Sequence, residues 1–267
     1  MPRHWSLVSC LRSFPQLVLA ALGACLVLFI VGPLLRMLFF ATPASLGAAI
    51  GDAEVQAAIT LTVVTATAAT ALGAALGVPL ALLLARKTFP GRRVVQALME
   101  LPVVIPHPVA GMALLLFLGR RSAVGGALAD LGLEVVSHVP GIVAAMVFVS
   151  APILVSGAQE AFRAVDPKLE RVARTLGDSP WRAFRRVTLP LAGRGILAAA
   201  ILSWARSVSE FGSIVIITYN PKVASVLIFD RFTTFGLAAA IPAAVLLLLV
   251  ALGVFVVVRL LQPAARA

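Results

Sequence analysis

The feature that most constrains this chain is a set of long apolar runs from which almost all charge is excluded. Six of them, at about residues 17–40, 57–85, 101–119, 140–158, 195–218 and 237–261, reach or approach the ~20 apolar residues a helix needs to cross a bilayer. A backbone inside lipid must satisfy its own hydrogen bonds, so runs of this length fold as helices. Hydrophobic residues make up 61% of the 267 and charged residues only 12%, well under the roughly 25% of a soluble domain. The expected fold is all-α: a polytopic bundle of about six transmembrane helices over 17–261, with short tails at 1–16 and 262–267.

The first run carries one decoy. Leu22-Gly23-Ala24-Cys25 mimics a lipoprotein cleavage site, with Arg3 and Arg12 upstream. A secretory apolar region is only ~7–15 residues long and ends at its cleavage site. Here apolar sequence continues to Phe40, so the run reads as an uncleaved first span.

A net charge of +11 could suggest nucleic acid, but the basic residues sit in the gaps between apolar runs. The N-terminal tail, the 86–100 gap, the 159–194 gap and the C-terminal end hold sixteen Lys and Arg; the alternate gaps hold four. Basic residues accumulate on the cytoplasmic side of membrane proteins. Both termini and the 159–194 loop are therefore expected to be cytoplasmic, which six spans allow, and the partner implied is the lipid membrane.

Known chemistries are missing from the motif inventory. There is no GxxxxGK[ST] phosphate loop, no GxSxG and no HExxH. Cys10 and Cys25 form no CxxC, and His4, His107 and His138 are scattered, fitting loop or packing positions. No catalytic residue, cofactor or metal site is expected. Ala66, Thr70, Gly73 and Gly77 set small residues on one stripe of the second span, a seam for close helix packing.

Two places depart from plain lipid-facing helix. In LPVVIPHPVAG, the prolines at 102, 106 and 108 remove backbone donors, so the segment is a simple helix start or the broken edge of a pathway. In the fifth run, Ser203, Arg206, Ser207, Glu210 and Ser213 recur at three or four residues as a single polar stripe. A charge at the bilayer centre costs ~2.5–3.5 kcal/mol on insertion scales, so Arg206 and Glu210 are expected to face protein or water. Either they pair with each other at i, i+4, or Arg206 offers a positive field to a passing anion with Pro106, Ser203, Ser207 and Glu210 along the same pathway.

The 159–194 loop is highly punctuated. Asp166-Pro167 reads as an N-cap followed by proline at the first helical position. Leu169, Val172, Ala173 and Leu176 then form one apolar stripe, and Gly177 stands where a left-handed C-cap belongs. A second helix starts at Ser179-Pro180, pairs Trp181 with Phe184, and is expected to end at Leu189-Pro190. Lys168, Glu170, Arg171 and Arg174 lie off the apolar stripe. Such an element docks, either on anionic headgroups or on a partner protein.

RVARTLG followed after nine residues by VTLP resembles the loop signature of ATP-binding cassette importer permeases. Ala173, Gly177, Val187, Leu189 and Pro190 match that pattern; Arg171 stands where the family carries an acid, Val172 replaces the first alanine, and Glu170 lies one residue early. LPVVIPHPVAGMALL and WARSVSEFGSIVII resemble segments of the oxyanion permeases, and the run from Val226 to Leu252 most resembles the molybdate/tungstate branch. The resemblance implies a permease subunit without its own ATPase. Its partners would be a second copy of itself, two ATPase subunits inside and a substrate-binding protein outside. It also implies that Leu169, Glu170, Arg171, Val172, Ala173, Leu176, Gly177, Leu189 and Pro190 belong to an ATPase-coupling element. A sulfate or thiosulfate permease is the alternative within the class; a secondary transporter or a lipid-modifying membrane enzyme is the alternative outside it.

Overall fold

The computed structural model describes the backbone of residues 7–261 and the side chains of residues 18–257. Every regular element among the described residues is helical: α1 (Leu7–Phe40), α2 (Pro43–Gly51), α3 (Ala53–Arg86), α4 (Arg92–Val104), α5 (His107–Leu118), α6 (Ala123–Asp130), α7 (Val139–Arg163), α8 (Pro167–Thr175), α9 (Pro180–Ala183), α10 (Leu189–Val208), α11 (Ile214–Ile217), α12 (Ala224–Phe235) and α13 (Leu237–Leu261). Five helices are long and apolar enough to cross a membrane, and the bent pair α4–α5 supplies a sixth crossing if counted as one span. The expected bundle of about six spans is matched by these five or six crossings. The helix α1 begins at Leu7, inside what the apolar pattern assigns to the tail at 1–16; residues 262–267 lie outside the described part.

The packed centre is α3, α7 and α10. Its spacing is set by small residues, as close backbone approach in a bilayer requires. A Cβ added to Gly157 on α7 would lie 2.6 Å from Ala199 Cβ on α10, and one added to Gly195 on α10 would lie 2.6 Å from Ala161 Cβ on α7. The expected seam on α3 is also used: Ala66, Gly73 and Gly77 are buried, with Gly77 against Leu154 and Val155 of α7. Thr70 returns its hydroxyl to the Ala66 carbonyl at 2.8 Å. The Trp204 indole N–H of α10 donates to Thr67 of α3 at 3.2 Å, closing the third side.

Three runs differ from their expected form. The 101–119 run is not one straight helix, because α4 and α5 meet at 116°. Ile105, which precedes Pro106, is extended at φ −78, ψ 143, the conformation a following proline enforces. The 195–218 run stops being helical at Val208, and residues 209–213 turn before the short α11. The second loop helix does not end at Leu189-Pro190. It passes through a π-turn at Phe184–Thr188 directly into α10, the Leu189 N–H bonding the Phe184 carbonyl five residues back just before Pro190, which has no N–H to give.

Candidate functional site

The first helix of the charged loop folds as the punctuation predicts, and so does the start of the second. Asp166 accepts the Lys168 N–H at 2.8 Å and opens α8. At the other end Gly177 adopts φ +98. The Gly177 N–H reaches the Arg174 carbonyl at 3.1 Å and the Asp178 N–H the Ala173 carbonyl at 3.1 Å. Those two bonds are a Schellman motif, which needs a left-handed residue at that point. Ser179 then accepts the Arg182 N–H and opens α9, and Trp181 stacks on Phe184 with ring centroids 5.4 Å apart.

Among the described residues, the large side chains of the α8 apolar stripe find no cover. Leu169 and Val172 are exposed, Leu176 is 83% exposed and Trp181 66%. Two longer contacts fasten the base of the element. Arg86, in the last turn of α3, donates to the Val165 carbonyl at 2.9 Å, and the buried Thr188 hydroxyl donates to Glu170. Glu170 is thus turned inward, while Arg171 beside it is exposed. Leu189 and Pro190 are exposed at the start of α10.

Among the stripe residues of the fifth run, the structure separates two sets. Ser203 and Ser207 are buried and donate to backbone carbonyls, Ser203 to Ser150 on α7 and Ser207 to Ser203. Arg206 and Glu210 instead meet the other break. The Arg206 guanidinium donates to Glu210 at 2.8 Å and lies 2.9 Å from His107 Nε2, the residue after Pro106. Glu210 is 1% exposed and Arg206 22%, so the carboxylate is sealed while the guanidinium stays partly exposed. The second Glu210 oxygen accepts the Ser213 N–H at 2.8 Å and the Ser213 hydroxyl at 2.7 Å, which holds residues 209–213 out of the helix. Gly212 lets that turn press on α5, where an added Cβ would lie 2.7 Å from His107 Cβ. Two interrupted helices therefore meet at one charged cluster.

Sequence reasoning assigned His107 to packing or a loop, and only its place between Pro106 and Pro108 hinted otherwise. It also missed a second cluster at the opposite end of α3 from Arg86. There Arg231 of α12 donates to Asp52 at 2.7 Å and to Glu54 at 3.1 Å, and Lys222 bonds Asp230 at 2.6 Å. The Arg231 hydrogen bond holds the Asp52 carboxyl below its ordinary range, and bonds from Lys222 and Tyr219 do the same for Asp230. Asp230 in turn raises Lys222. No periodicity links residues so far apart in the chain.

A multi-span bundle with a capped, partly uncovered amphipathic helix between two spans, and a charged cluster where two helices break, has the form of a membrane transport subunit. The chain belongs to the family described as binding-protein-dependent transport system inner membrane component, which matches residues 77–267. It is similar to the molybdate/tungstate transport system permease protein WtpB of Thermococcus kodakarensis, at 42% identity over 252 residues that cover 93% of this chain and 96% of the relative. Similarity to the same-named protein of Pyrococcus furiosus is 44% over 258 residues, covering 96% and 98%. In fold it matches a crystal structure of a bacterial ABC transporter involved in the import of the acidic polysaccharide alginate, with a TM-score of 0.75, 19% identity and 98% of both chains covered.

Proposed function

We propose that this chain is the permease subunit of an ATP-driven importer for molybdate or tungstate. It works as a homodimer with two separate ATPase subunits on the cytoplasmic side and an external substrate-binding protein. Both termini and the loop that carries α8 are cytoplasmic in this reading, in line with the basic bias of their gaps.

The observation that carries the reading is α8 itself. Its stripe of Leu169, Val172 and Leu176 is held by a cap at each end and left exposed among the described residues. Such a stripe fits a groove on another protein. Ala173 and Gly177 set the approach of the helix, while Leu189 and Pro190 carry its movement into α10. Glu170 and Arg171 complete the coupling element, one inward and one outward.

In this reading the pathway runs past the double break at Pro106, Arg206 and Glu210, while Ser203 and Ser207, buried and bonded to backbone carbonyls, brace α10 behind it. A single, partly exposed guanidinium attracts an oxyanion without holding it tightly, which suits a pore that must release its cargo. Selection then belongs to the binding protein.

The test is purification of the tagged chain from its native membranes, followed by uptake competition in reconstituted vesicles. An ATPase at equal copy number, and uptake of labelled tungstate blocked by molybdate but not by excess sulfate, are expected. Uptake that persists without an ATPase would overturn the class, and blockage by sulfate would overturn the substrate.

A further inference from the structure

The charges of the docking element carry an inference about the partner it fits, which rests on the coupling role just proposed. Three carboxylates lie between Asp166 and Thr188, and each is engaged inside the loop. Asp166 caps α8 through the Lys168 N–H. Glu170 accepts the Thr188 hydroxyl. Asp178 receives Arg186 at 3.3 Å and Arg182 at 3.7 Å. The cations divide differently. Lys168, Arg171, Arg174 and Arg185 are all exposed and have no carboxylate partner among the described residues. Arg171 and Arg174 share, with Thr175, Asp178 and Pro180, the wall of an open hollow of about 480 Å³ between α8 and the start of α9.

We infer that the groove receiving α8 is acidic, and that it supplies carboxylates to Arg171 and Arg174 on the flank of the Val172–Leu176 apolar contact. The apolar stripe provides the burial and the two guanidiniums provide register, since planar forks recognise carboxylates bidentately. Burying a stripe of this kind beside free arginines in a neutral or basic groove would leave charge desolvated without a partner, which is costly. Glu170 takes no part in the contact. It acts as a positioning residue, bracing α8 against the start of α10 through Thr188.

The experiment uses the full complex purified from its native membranes, with the ATPase-to-permease ratio read at low and high salt. Charge-reversed R171E/R174E is expected to lose at least about tenfold of the retained ATPase, R171K/R174K, which keeps the charge without the fork, is expected to retain an intermediate share, and the native complex is expected to weaken as salt rises. Glu170→Gln is expected to keep the ATPase bound and to lower transport per ATP hydrolysed. The apolar variant L176S serves as the control for docking itself. If L176S releases the ATPase and R171E/R174E does not, the acidic-groove inference fails and the coupling role survives. If neither releases it, the coupling role fails too. A lipid arm separates the other anionic source: protection of the loop from protease in ATPase-free vesicles of phosphatidylglycerol, absent in pure phosphatidylcholine and lost in R171E/R174E, would assign these arginines to headgroups and overturn the inference.

Discussion

The Arg86 guanidinium donates to the Val165 carbonyl at 2.9 Å, tying the last turn of α3 to the residue before the cap of α8. The bond spans 79 residues of chain and is partly buried. Helix α3 packs along α7 and α10, so a push on α8 enters the bundle at its centre as well as through α10. A hydrogen bond to a charged donor contributes ~1.5–3 kcal/mol, and partial exposure argues for the lower end here. Arg86→Met is therefore expected to speed amide exchange at the start of α8 by about tenfold while the spans keep their protection. Hydrogen exchange followed by mass spectrometry checks it; unchanged exchange in α8 would show that the bond does not hold the loop.

Gly177 fixes the direction in which α8 leaves its cap. A left-handed conformation costs a residue with a Cβ roughly 1–2 kcal/mol, and more where the side chain is β-branched. Space is not the obstacle, since no atom lies within 4 Å of an added Cβ. Gly177→Val is therefore expected to change the angle of α8 without disturbing the spans: normal insertion and thermal stability, with uptake reduced at least about tenfold. Gly177→Asn, which tolerates φ > 0, is expected to retain most uptake. Equal losses in the two variants would point away from backbone geometry.

How much of this was legible follows from which forces are local. Asp166-Pro167, the stripe from Leu169 to Leu176 and Gly177 are all specified within a dozen residues, so α8 and both its caps could be read directly. Span number followed from run length for the same reason. The breaks were harder. Pro106 announced a possible interruption, but nothing in the sequence indicated that its neighbour His107 would meet Arg206. The periodicity of Ser203, Arg206, Ser207, Glu210 and Ser213 suggested continuous helix through Ser213. The helix stops at Val208 because the Glu210 carboxylate takes the Ser213 N–H for itself. That competition depends on one side chain turning back on the backbone, which spacing alone does not reveal. Asp52 with Arg231, 179 residues apart, was beyond any local signal.

Glu210 holds the break by one oxygen and Arg206 by the other. In Glu210→Gln the amide oxygen can still accept from Ser213, but the amide nitrogen would turn a donor towards the Arg206 guanidinium. Leaving a buried ion without its partner costs ~3–5 kcal/mol, and the partial exposure of Arg206 reduces that to the low end or below. The expected result is a lower thermal midpoint for the purified chain. The double variant R206M/E210Q is expected to melt above Glu210→Gln alone, since no charge then lacks a partner. The reverse order in a thermal scan would mean that the carboxylate matters mainly to Ser213.

The cluster around Arg231 sets a pH window for the tie between α3 and α12. Asp52 is held below its ordinary 3.8 first by the Arg231 hydrogen bond, and Asp230 first by that of Lys222. A carboxylate with a depressed folded value contributes stability that is fully present above 3.8 and is lost as pH falls through the lower folded value. Lys222 is raised above 10.5 first by its bond to Asp230, so its contribution is present below 10.5 and is lost only as pH rises through the higher folded value. Between those limits the tie is constant. The thermal midpoint of the purified chain is therefore expected to be flat across neutral pH and to fall below about pH 4. Arg231→Met removes the partner that depresses Asp52, so the acid fall becomes shallower and the midpoint at neutral pH drops. An acid limb of unchanged slope in Arg231→Met would place the responsible carboxylates elsewhere in the chain.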